Sequence, residues 1–191
     1  KPLGWTSFDL VKKVRGIIKS AKQIKKIKVG HAGTLDPLAD GLLIVCTGKF
    51  TKKIQHLQKE KKVYTGEITL GSTTPSYDKE TKINQNFDIS EITNDLIYDI
   101  SKKFEGKIMQ KPPIFSALKR EGKRLYKHAR EGNKIEIKAR EVEIEKFEII
   151  SIKMPKINFK VICSKGTYIR SLAHDFGREL NNGAHLSSLR R

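Results

Sequence analysis

The sequence predicts an α+β fold in which helices flank a mixed, largely antiparallel central sheet. Hydrophobic residues make up 37% of its 191 residues, enough to bury the core of one domain. Segments with alternating apolar residues follow one another in the second half of the chain, with no helical segment between them. Strands in such a series pair antiparallel, whereas a parallel sheet needs a crossover between successive strands.

The first predicted element is a helix close to the start of the chain. Thr6 and Asp9 have the spacing of a capping box, in which each side chain bonds the backbone of the other. The residues that then recur at helical spacing are Phe8, Val11, Val14 or Arg15, and Ile18. Residues 19–28 form a basic connector after this helix.

The next segments predict a strand, a helix and another strand. Residues 42–47 are a short apolar run, typical of a buried strand. Residues 48–59 carry apolar side chains at helical spacing, namely Phe50, Ile54 and Leu57. Residues 63–70 alternate as a strand, with one face formed by Tyr64, Gly66, Ile68 and Leu70.

The second half predicts a helix, a series of strands and a last helix. Ser90 is the expected cap of a helix with an apolar stripe, which ends at Gly106. Residues 134–164 are read as strands, and a change of parity near Lys146 predicts a bulge. Residues 168–180 are read as the last helix, closed by Asn181, Asn182 and Gly183.

Charge and composition limit the functional classes. The chain has 39 Lys plus Arg against 21 Asp plus Glu, a net charge of +18, which indicates a polyanionic partner. No apolar stretch approaches the roughly 18 residues of a transmembrane helix. Cys46 and Cys163 lie in apolar segments, so we expect buried thiols in a reducing compartment. No Cys/His spacing resembles a zinc site.

The segment with the clearest chemical signal is Gly30-His31-Ala32-Gly33-Thr34-Leu35-Asp36-Pro37-Leu38-Ala39-Asp40-Gly41. Glycine and proline disfavour a regular helix or strand, so Asp36 is expected on a tight turn. A carboxylate fixed on a turn suits nucleophilic or acid–base chemistry. The alternative is an Asp-Pro turn in which Asp36 only bonds its own backbone.

Three further polar segments are poorly explained by packing alone. Residues 1–7 form a Pro/Gly loop with Lys1 and Trp5. Residues 111–132 interleave cations with Phe115 and Tyr126, as suits phosphate and base contacts, although an exposed charged loop gives the same pattern. Residues 163–170 mark a strand-to-helix junction where Arg170 could pair with a carboxylate.

In their order along the chain, these segments resemble the motifs of the TruB family of tRNA pseudouridine synthases. The matching runs are KPLGWTS from Lys1, GHAGTLDPLADGLL from Gly30, the Tyr64 strand to Leu70-Gly71, PPIFSALKREGKRLYKHAR from Pro112, CSKGTYIRSLAHDFG from Cys163, and the closing Leu189-Arg190-Arg191. The resemblance covers essentially the whole chain. It implies the pseudouridine synthase fold, formed by residues 1–191 as a single catalytic domain.

The resemblance also implies roles for individual residues. Asp36 is the implied catalytic nucleophile, attacking either the uracil ring or the ribose carbon, and Arg170 the residue that pairs with it and keeps it ionised. Tyr64 is expected to stack on the uracil. The remaining implied substrate contacts are His31, Tyr168 and Leu189. The reaction consumes no hydride, phosphate or water, so no cofactor or metal is expected.

The implied substrate is tRNA, at the uridine in position 55 of the T loop, which must be flipped out of its stack. Residues 111–132 are expected to be a loop that grips the T stem-loop. The implied RNA contacts are Lys1, Asp78, Lys119, Arg120, Lys123, Arg124 and Arg130. For Asp78, a turn role is the alternative.

The resemblance leaves several alternatives open. Family members carry a further initial strand and a small C-terminal RNA-binding domain, which are expected to lie outside this chain. An RNA-binding or tRNA-folding module without catalysis is one alternative, and a guide-RNA-dependent relative is another, although Leu38-Ala39-Asp40-Gly41 is closer to the stand-alone enzymes. A DNA-binding domain lacks a supporting motif. We expect a monomer with no obligatory protein partner and no membrane contact, in a bacterial cytoplasm or an organelle.

Overall fold

A computed structural model describes residues 1–116, 118–120, 122–132 and 135–191, without the side chains of Lys119, Arg120 and Arg130. In these residues the helices are α1 (Ser7–Ala21), α2 (Ile54–Leu57), α3 (Asn94–Lys103), α4 (Leu125–Arg130) and α5 (Ile169–Glu179), with a 3₁₀ helix at Gly48–Lys53. No helix in the described part of the chain has the length and apolar character needed to cross a membrane.

The main sheet has six strands and holds most of the fold together. The strands are β1 (Val29–His31), β2 (Ala39–Asp40), β3 (Val45–Thr47), β4 (Lys62–Leu70), β5 (Ser72–Thr73), β6 (Gln85–Asn86), β7 (Gly106–Gln110), β8 (Lys119–Arg120), β9 (Lys123–Arg124), β10 (Arg140–Lys153), β11 (Lys156–Cys163) and β12 (Ala184–Arg190). In the main sheet their order is β2-β12-β4-β11-β10-β7, and the pairs β1–β3, β5–β6 and β8–β9 form small separate ribbons.

The pairing confirms the α+β prediction with a mixed, largely antiparallel sheet. Four of the neighbouring pairs in the main sheet are antiparallel, and only β12 with β2 is parallel. The parallel pair joins Leu189 to Ala39, which brings the last strand beside the turn that contains Asp36.

The core lies between this sheet and α5. Alternate residues of β11 are buried, as the alternation predicts, and α5 covers them with Leu172 and Phe176. Phe147 packs edge-on against Phe159 and Phe176, with ring centroids 5.9 and 5.5 Å apart. Burying each such ring contributes about 1.5–3 kcal/mol, so the sheet is a rigid support for the N-terminal end of α5.

One glycine allows the close approach of two strands at the site. A Cβ on Gly66 of β4 would lie 2.4 Å from the Ser188 carbonyl oxygen of β12. Only glycine therefore fits there, and it allows β12 to carry Leu189 directly against β4, where Leu189 pairs with Gly66.

Several predicted elements are confirmed. Thr6 and Asp9 form the capping box of α1, and β4 buries Tyr64, Ile68 and Leu70 on one face. The bulge near Lys146 is present as a register shift between β10 and β11. The last helix spans α5 within the predicted limits.

Other element predictions are wrong in part. Residues 42–47 give a strand only from Val45, and Leu42 is 67% exposed, because the preceding turn still determines the backbone there. Residues 48–57 form a 3₁₀ helix and one α turn, with Phe50 68% exposed. The cap of α3 is Thr93 rather than Ser90, and Gly106 begins β7.

Residues 111–132 are also not simply a loop. Described residues of this segment form the β8–β9 hairpin and α4. The alternation of cations and apolar residues in this segment, which suggested a charged loop, also fits a short hairpin followed by an amphipathic turn.

Candidate active site

The turn that contains Asp36 lies between β1 and β2 and is fixed from α1. The Ser7 hydroxyl at the start of α1 donates to the Leu35 carbonyl at 3.1 Å and accepts the Leu35 N–H at 2.9 Å. Ser7 is 3% exposed and Leu35 also 3%. One buried hydroxyl thus satisfies both backbone groups of the residue before Asp36.

The loop at residues 1–5 holds the other side of the turn. The Gly4 N–H donates to the Pro37 carbonyl at 2.8 Å, and Lys1 Nζ donates to the Trp5 carbonyl at 2.6 Å and the Pro37 carbonyl at 3.4 Å. Partial burial lowers the pKa of Lys1, against the opposing effect of Asp36. Lys1 therefore bonds the turn through exposed contacts, and its predicted RNA contact stays a prediction.

Arg191 is the third group that holds the turn containing Asp36. Its guanidinium donates to the Gly33 carbonyl at 3.1 Å and, through Nε, to the Leu42 carbonyl at 3.1 Å. Its backbone packs against Gly41, where a Cβ would lie 2.3 Å from the Arg191 carbonyl oxygen. Gly41 has φ of +106°, so both its conformation and its neighbour require glycine.

Arg170, on the first turn of α5, reaches the Asp36 carboxylate. Its Nη2 donates to Asp36 Oδ1 at 3.2 Å, and its Nε lies 2.9 Å from Asp36 Oδ2 in an ion pair. The Arg170 side chain is 3% exposed and that of Asp36 is 37% exposed. The arginine is thus beneath the carboxylate, whose outer surface remains open to a ligand.

Behind Arg170 lie Asp78 and Ser76. Asp78 Oδ2 is 3.6 Å from Arg170 Nε, and Arg170 Nη1 donates to the Ser76 carbonyl at 3.3 Å. The Asp78 side chain is only 7% exposed, so the structure does not place it where RNA could contact it. Its Oδ1 also accepts the Glu80 N–H at 2.9 Å, which is the turn role considered from the sequence.

Burial raises the pKa of Asp36 above its ordinary value, because the cleft withdraws water from the carboxylate. Arg170 opposes this rise, and the nearby Asp78 charge adds to it. Arg170 therefore favours the ionised form of Asp36, as expected, but burial and the Asp78 charge act on the pKa in the opposite direction. The structure gives a carboxylate that is held by an arginine and yet is more basic than a solvated aspartate.

Asp36 and Arg170 form the floor of a cleft of about 650 Å³. Tyr64, Tyr168 and Leu189 also line it, so three residues assigned from the sequence as substrate contacts converge on one cavity. Its size lies in the range of small-ligand sites, which is about 300–1,000 Å³. Burial raises the pKa of the Tyr64 phenol, which keeps it neutral at physiological pH.

Comparison with known proteins agrees with this geometry. The family model described as "TruB family pseudouridylate synthase (N terminal domain)" matches residues 19–169, which include Asp36, Tyr64 and most of the cleft. The chain belongs to the TruB family. The family prediction made from the motifs is thereby confirmed.

Curated relatives extend the match over the full chain. The protein named tRNA pseudouridine synthase B from Flavobacterium johnsoniae is 57% identical over 192 residues, covering 100% of this chain and 84% of the relative. The protein of the same name from Parabacteroides distasonis is 50% identical over 191 residues, covering 100% of this chain and 81% of the relative. The chain is therefore an enzyme domain of the pseudouridine synthase class.

Among solved structures, the Cbf5-Nop10-Gar1 complex contains a chain that superposes with a TM-score of 0.72 at 32% identity. The match covers 100% of this chain but only 46% of that chain, so this protein spans less than half of its structural neighbour. The likeness supports the predicted fold.

Two residues that the sequence interpretation missed hold Tyr168 in this TruB-family cleft. The Gln110 side chain, 1% exposed, accepts the Tyr168 N–H at 2.7 Å and donates to the Tyr168 carbonyl at 3.0 Å. The Arg140 guanidinium lies 5.0 Å from the centre of the Tyr168 ring and donates to the Gly166 carbonyl. Tyr168 is the N-cap of α5, and the Gln110 amide thus serves its backbone N–H and carbonyl in place of a backbone partner.

Neither of these residues left a distinguishing signal in the sequence. Gln110 lies two positions before the matched Pro112 run, in a stretch for which the sequence predicted no helix or strand. Arg140 lies in the strand region without any distinguishing pattern, since its contact with Tyr168 depends on β10 and α5 meeting in space.

His31 is not among the residues that line the cleft. It lies half-buried in β1, and its Nδ1 is buried without a hydrogen-bond partner among the described residues. Burial lowers the pKa of His31, so the ring is neutral at pH 7. The structure brings His31 to the edge of the turn and not into the cavity.

The basic segment 111–132 is described only in part. Lys123 forms an ion pair with Glu131, and Arg124 is exposed, while Leu118 lines the cleft. The side chains of Lys119, Arg120 and Arg130 lie outside the described atoms, so their predicted RNA contacts stay predictions.

Both cysteines are buried and free, as expected from their apolar segments. Burial raises the pKa of Cys163 to about 11, so its thiol is inert at neutral pH. No group of three or more metal-ligating side chains occurs within the described ranges.

Proposed function

We propose that this protein converts a uridine of tRNA, the one at position 55 of the T loop, to pseudouridine with Asp36 as the nucleophile. The observation that carries the proposal is the Asp36 carboxylate at the floor of a cleft, 2.9 Å from a buried arginine and open on its outer side. The curated relatives named tRNA pseudouridine synthase B support tRNA as the substrate.

The chemistry is an isomerisation, so every atom of the uridine is retained. The bond from C1′ of the ribose to N1 of uracil breaks, the base rotates, and a bond from C1′ to C5 forms. The C5 proton leaves and N1 takes one up. Asp36 divides this exchange into two steps by forming a covalent bond, either to the uracil ring or to C1′, and is then released unchanged.

The other cleft residues position the carboxylate and the base. Arg170 orients the Asp36 carboxylate and limits the rise of its pKa. Tyr64 presents a neutral ring on which a flipped uracil stacks, and Leu189 and Tyr168 form further walls. The walls of the cleft also limit diffusion of the detached base between the two steps.

Positive charge on α1 and on the segment that follows it fits an RNA substrate. Residues 10–35, which lead into the Asp36 turn, contain no acidic residue, and they carry Lys12, Lys13, Arg15, Lys19, Lys22, Lys25, Lys26 and Lys28. Five of these cations line a groove of about 480 Å³ beside α1. Such a surface neutralises phosphates and offsets the few kcal/mol needed to flip a nucleotide out.

We propose that the chain acts without a protein partner. The structural neighbour is a complex with Nop10 and Gar1, which makes a partner-dependent enzyme the alternative. The identity of 57% to a tRNA pseudouridine synthase B favours the stand-alone enzyme.

The decisive experiment incubates the purified chain alone with an unmodified T stem-loop RNA and maps pseudouridine by mass-resolved sequencing. We expect conversion at position 55, none in an RNA carrying cytidine there, and none with Asp36→Asn. Tight RNA binding without conversion would favour the RNA-folding alternative. Conversion only after addition of a guide RNA or a protein partner would favour the guided alternative.

A further inference from the structure

The candidate for an additional role is a pair of stacked rings outside the cleft. The Tyr77 and His174 rings lie almost parallel, with centroids 3.9 Å apart and an interplanar angle of 10°. Neither residue lines the cleft, and both are partly buried.

The position of this pair connects it to Arg170. Tyr77 lies in the chain between Ser76 and Asp78, the two residues that contact Arg170 from behind. His174 lies four residues after Arg170, on the same face of α5. The stack therefore ties the loop that supports Arg170 to the helix that carries Arg170.

The backbone of this loop is strained at the stacked tyrosine. Tyr77 has φ of +63°, in the left-handed region that a bulky side chain disfavours. Its carbonyl accepts the Leu186 N–H at 2.9 Å and its N–H donates to the Thr74 carbonyl at 3.1 Å. In this conformation the Ser76 carbonyl and the Asp78 carboxylate face Arg170, and the stacked rings add to the hydrogen bonds that the Thr74 and Ser76 hydroxyls donate to the Asp78 carbonyl.

The contact between the rings depends on shape and not on charge. Burial lowers the pKa of His174, and the nearby Arg178 charge lowers it further, so the imidazole is neutral. Its Nδ1 is buried with no hydrogen-bond partner among the described residues. A flat apolar ring of similar size should therefore replace the imidazole without loss.

We infer that Tyr77 and His174 form a positioning pair, whose stacking holds Ser76 and Asp78 against Arg170 and so fixes the Asp36 carboxylate. The inference rests on the proposed function for its kinetic consequences. It concerns residues that touch neither the substrate nor the reacting atoms.

The kinetic test compares His174→Ala with His174→Phe, in the chain otherwise unchanged, on the unmodified T stem-loop RNA. We expect His174→Ala to lower the single-turnover rate about 10-fold and to leave RNA affinity unchanged. His174→Phe and the control Tyr77→Phe should stay within about twofold of the parent.

A second readout is independent of activity. Solvent exchange of the Arg170 Nε–H, followed by NMR in the protein without RNA, should be faster in His174→Ala than in His174→Phe. This difference would support the inference even if the parent protein formed no pseudouridine, in which case only the proposed function would fail. A folded His174→Ala protein with unchanged exchange and an unchanged rate would overturn the positioning role. Equal impairment of His174→Phe and His174→Ala would overturn it as well.

Discussion

The Asp36 turn and the basic segment 111–132 face the same cleft, but they are held in different ways. The turn is bonded to distant parts of the chain, through Ser7, Arg191 and Arg170. In the basic segment, the Leu125 N–H bonds the Leu118 carbonyl and Lys123 pairs with Glu131, both within the segment. A bond from α5 lies at its first residue, where the Ser171 hydroxyl donates to the Lys111 carbonyl at 2.7 Å.

This difference separates two functions. Groups that must act on a bond need fixed geometry, since a shift of about 1 Å in a catalytic group can cost about 100-fold in rate. Groups that neutralise phosphates need charge more than fixed geometry. Changes in the turn should therefore appear in the rate of conversion, and changes in the basic segment should appear in RNA affinity.

The largest effect is expected from Asp36→Asn. The amide cannot form the covalent bond, so conversion should fall by at least about 10⁴-fold, measured by single-turnover pseudouridine formation. RNA affinity should change little, because the outer surface of the side chain keeps its size. The matched control is Asp40→Asn, an equally exposed carboxylate that pairs with Arg190 on the rim, and it should retain near-parental rates.

Substantial turnover by Asp36→Asn would remove Asp36 from the mechanism. A parallel loss of RNA affinity would instead remove the separation between the turn and the basic segment.

The next largest effect is expected from Arg170→Lys. Lysine keeps the positive charge but cannot contact the Asp36 carboxylate, Asp78 and the Ser76 carbonyl together, so the rate should fall about 10²-fold. The raised pKa of Asp36 means that the ionised nucleophile is lost as pH falls through that raised value. With Arg170 weakened, the pKa should rise further and the acid limb of the pH–rate profile should move to higher pH.

The pH–rate profile of Arg170→Lys is the measurement, with Arg178→Lys as a control on the exposed side of the same helix. An acid limb that did not move would show that Arg170 only supports the fold.

A smaller and more selective effect is expected from Tyr64→Leu. Removing the ring should slow conversion about 10-fold to 100-fold and weaken RNA binding far less, because stacking acts on the flipped base. Tyr64→Phe keeps the ring and should retain most of the rate. Equal losses of rate and affinity in Tyr64→Leu would count against a stacking role.

Much of the main sheet could be predicted from the sequence, because its signals are local. The capping box at Thr6 and the alternation along β4 and β11 each depend on neighbouring residues only. The strand β12 was not predicted, since its short run of Ala, Leu and Ser shows no alternation and gains its partners only through the sheet.

The same limit applies to the candidate site. Asp36, Tyr64 and Arg170 could be selected because they stand in motifs, but the motifs do not show which groups lie behind them. The contact of Asp78 with Arg170 joins residues 92 positions apart and was assigned instead to RNA binding. Gln110 was missed because its role depends on a hydrogen bond with the distant Tyr168 backbone, which only the folded structure shows.

The smallest effect is expected from Lys119→Ala combined with Arg120→Ala in the basic segment. Each phosphate contact contributes about one unit to the slope of log affinity against log salt, so losing two should reduce that slope by about two. Affinity for the T stem-loop should fall at low salt, while the single-turnover rate at saturating RNA stays near the parental value. Lys102→Ala, a surface lysine on α3 paired with Asp99, is the control for charge alone. A changed rate at saturation would mean that Lys119 and Arg120 also order the cleft, since the neighbouring Leu118 forms part of its wall. The Asp36 turn and the basic segment would then not divide rate and affinity between them.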